Sequence, residues 1–328
     1  MTKNKKNKEQ KEAESPREQS LKLKELFKER YKKLLGENYE EFIKYSTTYI
    51  RKSIRINTLK KTKKEIQQRL NNTWDLTQVP WCKEGFWIKY KDKKRFDIGN
   101  TPEHQLGYIY VQDAASMIPP VVLAPKPGDI VLDLCAAPGS KTTQIAQYME
   151  NKGILMANDS QGKRLSALGI NLQRCGVTNT LITKMNGETI KGNEIFDKIL
   201  VDAPCSGTGT IRRSYKIAEM WSPGLVERMS KTQSKLLKNA YRLLKKNGVL
   251  VYSTCTLEPQ ENEKVISKLL EENQDAQLLE INLNIKRSPP ITSFQNETYN
   301  EEVKKCLRIY PQDNDTEGFF VAKITKKP

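Results

Sequence analysis

Histidine is almost missing from these 328 residues; the one present is His104. The six cysteines, Cys82, Cys135, Cys175, Cys205, Cys255 and Cys306, are scattered, with no C-x-x-C pair among them. These absences argue against a metal centre of His and Cys ligands and against a disulfide scaffold. They leave reduced thiols, which suit a cytoplasmic protein. No apolar run approaches the roughly 18 residues that a membrane-spanning helix needs. The first twenty residues, MTKNKKNKEQKEAESPREQS, hold no apolar stretch of the signal-peptide kind. Acidic side chains are also in deficit. Asp and Glu number 39 against 56 Lys and Arg, a formal net charge of +17. Such an excess concerns partners rather than fold, and a polyanion is the partner it suits. The alternative is a lysine-rich, solvated surface.

What is present divides the chain. Residues 1–20 are almost wholly polar or charged and cannot bury enough surface to fold alone, so they are expected to form a disordered basic tail. From Leu21, apolar residues recur at helical spacing (Leu23, Leu26, Phe27, Tyr31, Leu34, Leu35). KSIRINTLK then alternates as a strand, KKEIQQRL reads as a short helix, and VPWCKEGFWIKY offers two strand candidates. A small α+β domain over residues 21–105 is the expectation. Beyond it, strands are expected at Ile130–Cys135, Ile154–Asn158, Thr180–Thr183, Lys198–Asp202 and Val249–Ser253. Helices are expected at Lys141–Met149, Gly162–Cys175, Pro223–Lys246 and Gln260–Glu272. Alternation of this kind implies right-handed crossovers and a doubly wound, Rossmann-like parallel sheet over residues 106–328. CLRIYP and GFFVAKIT are joined by too short a link for a crossover, so they should form an antiparallel terminal hairpin.

The segment DIVLDLCAAPGSKTTQIA reads as a strand, a tight turn at Pro138-Gly139 and a helix start. Ligands of such sheets sit beyond the carboxyl ends of the strands, where a helix N-terminus offers free amides. Asp159 ends the next strand and is placed to accept hydrogen bonds from ribose hydroxyls, with Arg164 near enough to steady it. A phosphate-binding loop is excluded because Ser140 stands directly before Lys141, where that motif needs glycine. The G-x-G-x-x-G of dinucleotide sites is absent too. S-adenosylmethionine, with a ribose but no phosphate, fits what remains, and a turn without any ligand stays the alternative.

KILVDAPCSGTG ends one strand in Asp202 and Cys205, and VLVYSTCTLEPQENE ends its expected neighbour in Cys255. A buried cysteine is most often a small hydrophobe. Two of them, each in a polar loop at adjacent strand ends, point instead to a shared cleft and to nucleophilic chemistry. Which of the two attacks is left open by the spacing.

DLCAAPGSKTTQIA, VDAPCSGTG, YSTCTLEPQENE and RIYPQDNDTEGFF, with YVQDAASMIPP read as a preceding helix, together resemble the Nol–Nop–Sun family of RNA cytosine-5 methyltransferases. The matches run from about Gly107 to Ile324. RKSIRINTLK and PWCKEGF look like the family's N-terminal RNA-binding region, so Lys52, Arg55 and Lys60 are expected among the RNA contacts. The compact length is most similar to archaeal tRNA members, which implies RNA, and tRNA in particular, as partner. No membrane or metal is implied, and nothing demands more than a monomer.

The resemblance implies that Cys255 attacks carbon 6 of cytosine and that Cys205 assists release of the methylated base. Addition of a thiolate there makes carbon 5 electron-rich enough to take a methyl group. A protonated Asp202 is expected to serve ring N3, and Lys141 to hold the base or lower the thiol pKa. Cys135, Ala136, Ala137, Pro138, Gly139, Ser140, Lys141, Asp159, Arg164 and Asp202 match cofactor-pocket positions. Two departures stand out. Asn186 stands where the family usually has aspartate, which makes it a weaker adenine contact, and Gln312 stands where histidine often follows Pro311.

Overall fold

The computed structural model describes residues 21–92 and 97–328. The expected tail of residues 1–20 lies outside the described residues. A four-stranded antiparallel sheet comes first, formed by β1 (Ser53–Ile56), β2 (Trp74–Gln78), β3 (Gly85–Tyr90) and β4 (Ile109–Val111) in the order β2-β3-β1-β4. Its small core joins Ile54, Ile56, Trp74, Phe86, Ile88 and Ile109 to Ile66 and Leu70 of the helix Lys63–Leu70. That helix starts in a capping box between Thr62 and Glu65. The segment expected as a preceding helix begins instead as β4, because Ile109–Val111 pair with Ile54–Ile56, and it turns helical only at Ala115.

The large sheet holds β5 (Ile130–Asp133), β6 (Ile154–Asn158), β7 (Thr180–Thr183), β8 (Phe196–Asp202), β9 (Leu244–Thr254), β10 (Ala276–Leu279), β13 (Leu307–Ile309) and β14 (Phe319–Lys326). Between β10 and β13 lies a separate two-stranded ribbon of β11 (Ser293–Phe294) and β12 (Glu297–Thr298). The main order is β10-β14-β9-β8-β5-β6-β7, with β13 also on β14. β5 to β9 run parallel to one another, whereas β14 is antiparallel to β9, β10 and β13. The expected hairpin is therefore β13–β14. β10 is an addition that sequence reading missed, since its AQLL is short and half exposed at the sheet edge.

Both faces of the sheet are covered, as a parallel sheet requires. Ile199, Val201, Leu250, Tyr252, Phe320 and Ala322 face the helices Pro223–Leu243 and Glu263–Glu272. The alternate residues Leu200, Val251, Phe319 and Val321 face Ile118, Leu123, Ile145 and Met149 on the other side. The long helix stops at Leu243, so Lys245 and Lys246 belong to β9 rather than to the helix expected there.

Two arrangements near the N-terminus were not legible. The helices Glu25–Leu35 and Tyr39–Thr47 bury Phe27, Tyr31 and Phe42 against Ile211, Trp221, Leu257 and Tyr310 of the large-sheet half. Arg55, expected to meet RNA, is fully buried. Its guanidinium donates to Gln112 Oε1 at 3.0 Å, to Thr143 Oγ1 at 2.7 Å and to Gln147 Oε1, tying β1 to the helix Ser140–Tyr148. Polar partners on every side make burial of the charge tolerable. Lys52 and Lys60 do remain exposed.

Candidate active site

The turn after β5 is held from both flanks. Leu134 N–H donates to Leu200 O at 2.9 Å and Ala136 N–H to Asn158 O at 2.8 Å. A cis Ala137-Pro138 bond then leads to Gly139, whose φ is +105°. A Cβ at Gly139 would be strained by that φ and would sit 3.0 Å from Leu168 Cδ1, so glycine is required there. The helix Ser140–Tyr148 begins at once, with first-turn amides that no helical carbonyl can reach.

Asp159 stands beside this turn. Its carboxylate accepts from Ala137 N–H at 3.3 Å and Gln161 N–H at 2.9 Å, and Arg164 lies 3.1 Å away. Arg164 also donates to Ala137 O, so it clamps the turn as well as the carboxylate. Asp133, which sequence reading passed over, is buried at the end of β5 and accepts from Thr142 Oγ1 at 2.7 Å. Burial, reinforced by Asp202 and Asp159 and opposed by Thr142, raises its carboxyl to about 7. Its Oδ1 has no hydrogen-bond partner among the described residues. Burial and the same three carboxylates hold the Cys135 thiol well above its ordinary range. Three acids about one turn suit a ligand that carries positive charge and hydroxyl donors. The sulfonium, ammonium and ribose of S-adenosylmethionine meet that description, and a phosphate does not. Asn186 is exposed, and its side chain accepts from Glu188 N–H at 3.0 Å within its own turn.

At the neighbouring strand ends the two thiols meet. Cys205 Sγ and Cys255 Sγ are 3.3 Å apart. Because β8 and β9 are paired with Asp202 opposite Ser253, their following loops emerge side by side. Gly209 makes the contact possible. Its N–H donates to Cys255 O at 2.9 Å, and a Cβ there would lie 2.3 Å from Gly318 O and 2.8 Å from Cys255 O. The hydrogen bond to Cys255, then burial, then the charge of Cys255 hold the Cys205 thiol well above its ordinary pKa.

Asp202 accepts from Lys141 Nζ at 2.7 Å and from Ser253 Oγ at 2.8 Å. Burial alone would lower the Lys141 ammonium, but Asp202 outweighs it and the net direction is upward. The Lys141 ammonium also lies 5.4 Å from the centre of the Phe319 ring. The site accordingly assembles Lys141, Asp202, Cys205 and Cys255 beside the Asp133–Asp159 turn. Ser253, Phe319 and Glu261 complete it. YSTCTLEPQENE contains Ser253 and Glu261, but nothing in the pattern says that Glu258, Glu261 and Glu263 all turn inward, as they do.

The Nol–Nop–Sun expectation meets independent comparisons here. Residues 120–325 match the model described as 16S rRNA methyltransferase RsmB/F, and residues 23–114 match the N-terminal domain of 16S rRNA methyltransferase RsmF. The chain is 47% identical over 312 residues to the tRNA (cytosine(49)-C(5))-methyltransferase of Pyrococcus abyssi, covering 94% of this chain and 98% of that one. It is 43% identical to the ribosomal RNA small subunit methyltransferase F of Aliivibrio fischeri over 88% of its length, which is 60% of that protein. A solved methyltransferase homolog from Pyrococcus horikoshii superposes with a TM-score of 0.84 at 39% identity, over 96% of this chain and 100% of the other. NSun6 from the same organism gives 0.81 at 26%, over 93% and 98%.

Proposed function

Because the chain belongs to the RsmB/F family of RNA methyltransferases, we propose that it methylates carbon 5 of cytosine in tRNA, using S-adenosylmethionine and a covalent cysteine adduct. The observation that carries the chemistry is the pair of thiols 3.3 Å apart beside the Lys141–Asp202 ion pair. The tRNA substrate is favoured by the higher identity to the relative named for tRNA, 47% against 43%. The chain spans 98% of the relative named for tRNA but only 60% of the one named for ribosomal RNA.

In this reading Cys255 adds to carbon 6 of the cytosine. As electron density moves toward ring N3, the Lys141–Asp202 pair supplies the proton that neutralises it. S-adenosylmethionine, when bound, contributes an electrophilic methyl group on a sulfonium. The residues about the Ala136–Gly139 turn, Asp159 and Arg164 would hold it, and Asp133 suits its ammonium. Cys205 then removes the carbon 5 proton, and the carbon 6–sulfur bond breaks to free Cys255. Cys205 is kept protonated chiefly by Cys255. Once Cys255 is bonded to the base that influence ends, so Cys205 can give up its own thiol proton to solvent and, as the thiolate, take the proton on carbon 5. Residues 106–328 are taken as the catalytic part and residues 21–105 as an RNA-contacting part, although the first sheet also takes in β4 (Ile109–Val111), so the division between the two sheets falls after Val111.

The test is to supply methyl-labelled cofactor with unmodified tRNA and 16S rRNA transcripts and to map 5-methylcytosine by bisulfite sequencing. Label is expected in tRNA, with cytosine 49 the first position to inspect. Label confined to ribosomal RNA, or on any atom other than carbon 5, overturns the proposal. The cofactor assignment has its own check. Asp159→Ala removes a charge-assisted acceptor worth roughly 1.5–3 kcal/mol, so calorimetry should show S-adenosylmethionine binding at least about tenfold weaker. Unchanged affinity takes Asp159 out of the pocket.

A further inference from the structure

Both thiol loops converge on one buried side chain. Glu261 is fully buried beyond β9. Its Oε2 accepts from Ser206 N–H at 2.9 Å and from Gln233 Nε2 at 2.8 Å. Its Oε1 accepts from Ser206 Oγ and, at 3.3 Å, from Thr256 Oγ1. Ser206 directly follows Cys205 and Thr256 directly follows Cys255, and their hydroxyls are themselves 2.8 Å apart. Gln233 also donates to Pro204 O at 2.8 Å, so the residues on both sides of Cys205 are tied to this centre.

The two loops do not depend on Glu261 equally. Asn262 holds the Cys255 loop independently, accepting from Thr254 Oγ1 at 2.6 Å and donating to Thr256 O at 2.9 Å. In the Cys205 loop, by contrast, the residues that flank the thiol, Pro204 and Ser206, are tied to Gln233 and Glu261, and the further contact of Thr208 Oγ1 with Thr256 Oγ1 at 3.1 Å lies three residues on from Cys205. We propose that Glu261 is the positioning residue that sets Cys205 against Cys255, and that it thereby governs release of the methylated base rather than attack on it. This rests on the reading in which Cys205 assists release.

Four donors meeting one carboxylate make a specific requirement, because only an acceptor with several lone pairs can satisfy them. Glutamine keeps one oxygen for Ser206 N–H and Gln233. It presents an amide to the two hydroxyls, which can turn and accept. Alanine keeps neither link. Glu261→Ala is therefore expected to let Cys255 add and the methyl group transfer, but to leave the enzyme on its RNA. Covalent complex on a denaturing gel should rise tenfold or more over wild type, with KM for RNA little changed. Glu261→Gln should release product within about threefold of the wild-type rate.

The experiment runs full-length wild type, Cys205→Ala, Glu261→Ala, Glu261→Gln and Ser206→Ala with labelled tRNA and S-adenosylmethionine. If Cys205→Ala forms no complex, the release role of Cys205 itself has failed. If Cys205→Ala is trapped while Glu261→Ala turns over like wild type, or loses addition and release together, the positioning role is wrong. Should Glu261→Ala not fold, Ser206→Ala decides: it cuts the hydroxyl link alone, and wild-type release from it overturns the proposal.

Discussion

Cys205→Ala should convert the enzyme from a catalyst into a trap, with most of the protein covalently bound to RNA after one turnover. The two thiols are 3.3 Å apart, so the base bonded to one sulfur lies within reach of the other. In the proposed mechanism, addition at carbon 6 and methyl transfer to carbon 5 need Cys255 and the Lys141–Asp202 pair, which the substitution leaves in place. Elimination needs a base at the carbon 5 proton, and that is the group removed. Product release is expected to slow by about 100-fold or more, the range in which loss of a positioned proton-transfer group falls. The complex should survive denaturing electrophoresis and disappear in the double variant with Cys255→Ala. Lower activity without a stable complex would show that Cys205 merely packs its loop.

Cys255→Ala should abolish methyl transfer, by on the order of a thousandfold or more, while RNA and cofactor binding stay near wild type. The substituted side chain lies at the end of β9 and is partly exposed, so its loss opens no large cavity. Cytosine carbon 5 is too weak a nucleophile to take a methyl group without the carbon 6 adduct, hence no slower parallel route should remain. Single-turnover transfer of label measures this directly. Transfer above a few per cent of the wild-type rate rules out covalent catalysis by Cys255. The reversed pattern, with the trapped species appearing in Cys255→Ala, assigns the attack to the proline-cysteine loop instead.

Several parts of the site were legible because they are local. The strand, turn and helix start of DIVLDLCAAPGSKTTQIA fall within eighteen consecutive positions, and the requirement for Gly139 is a matter of its own φ. Asp202 and Cys205, like Cys255, sit directly after runs of apolar residues that read as strands. Alternation of strand and helix was enough for the parallel order, and the short link before GFFVAKIT for the antiparallel end. Where this local reading failed, a distant partner decided. Lys141 and Asp202 are paired across 61 residues of sequence, a contact that no local pattern announces. Arg55 is buried rather than exposed because Gln147 and Thr143 receive it from another sheet's flanking helix.

What the amino-acid order determines by itself is the doubly wound sheet, the Pro138-Gly139 turn and the presence of two thiols at strand ends. Each follows from periodicity or from the conformational demands of a few neighbouring residues. What tertiary structure alone decides is how the charged groups are used. In LEPQENE the pattern reads as a polar helix start, yet Glu258 meets Arg30 at 2.7 Å and Glu263 meets Arg308 at 2.8 Å, partners 228 and 45 residues distant. A buried carboxylate is tolerable only with its donors assembled around it, and those donors come from separate elements. Glu261 could be given its place between the thiol loops only once β8, β9 and the helix Pro223–Leu243 had been packed together.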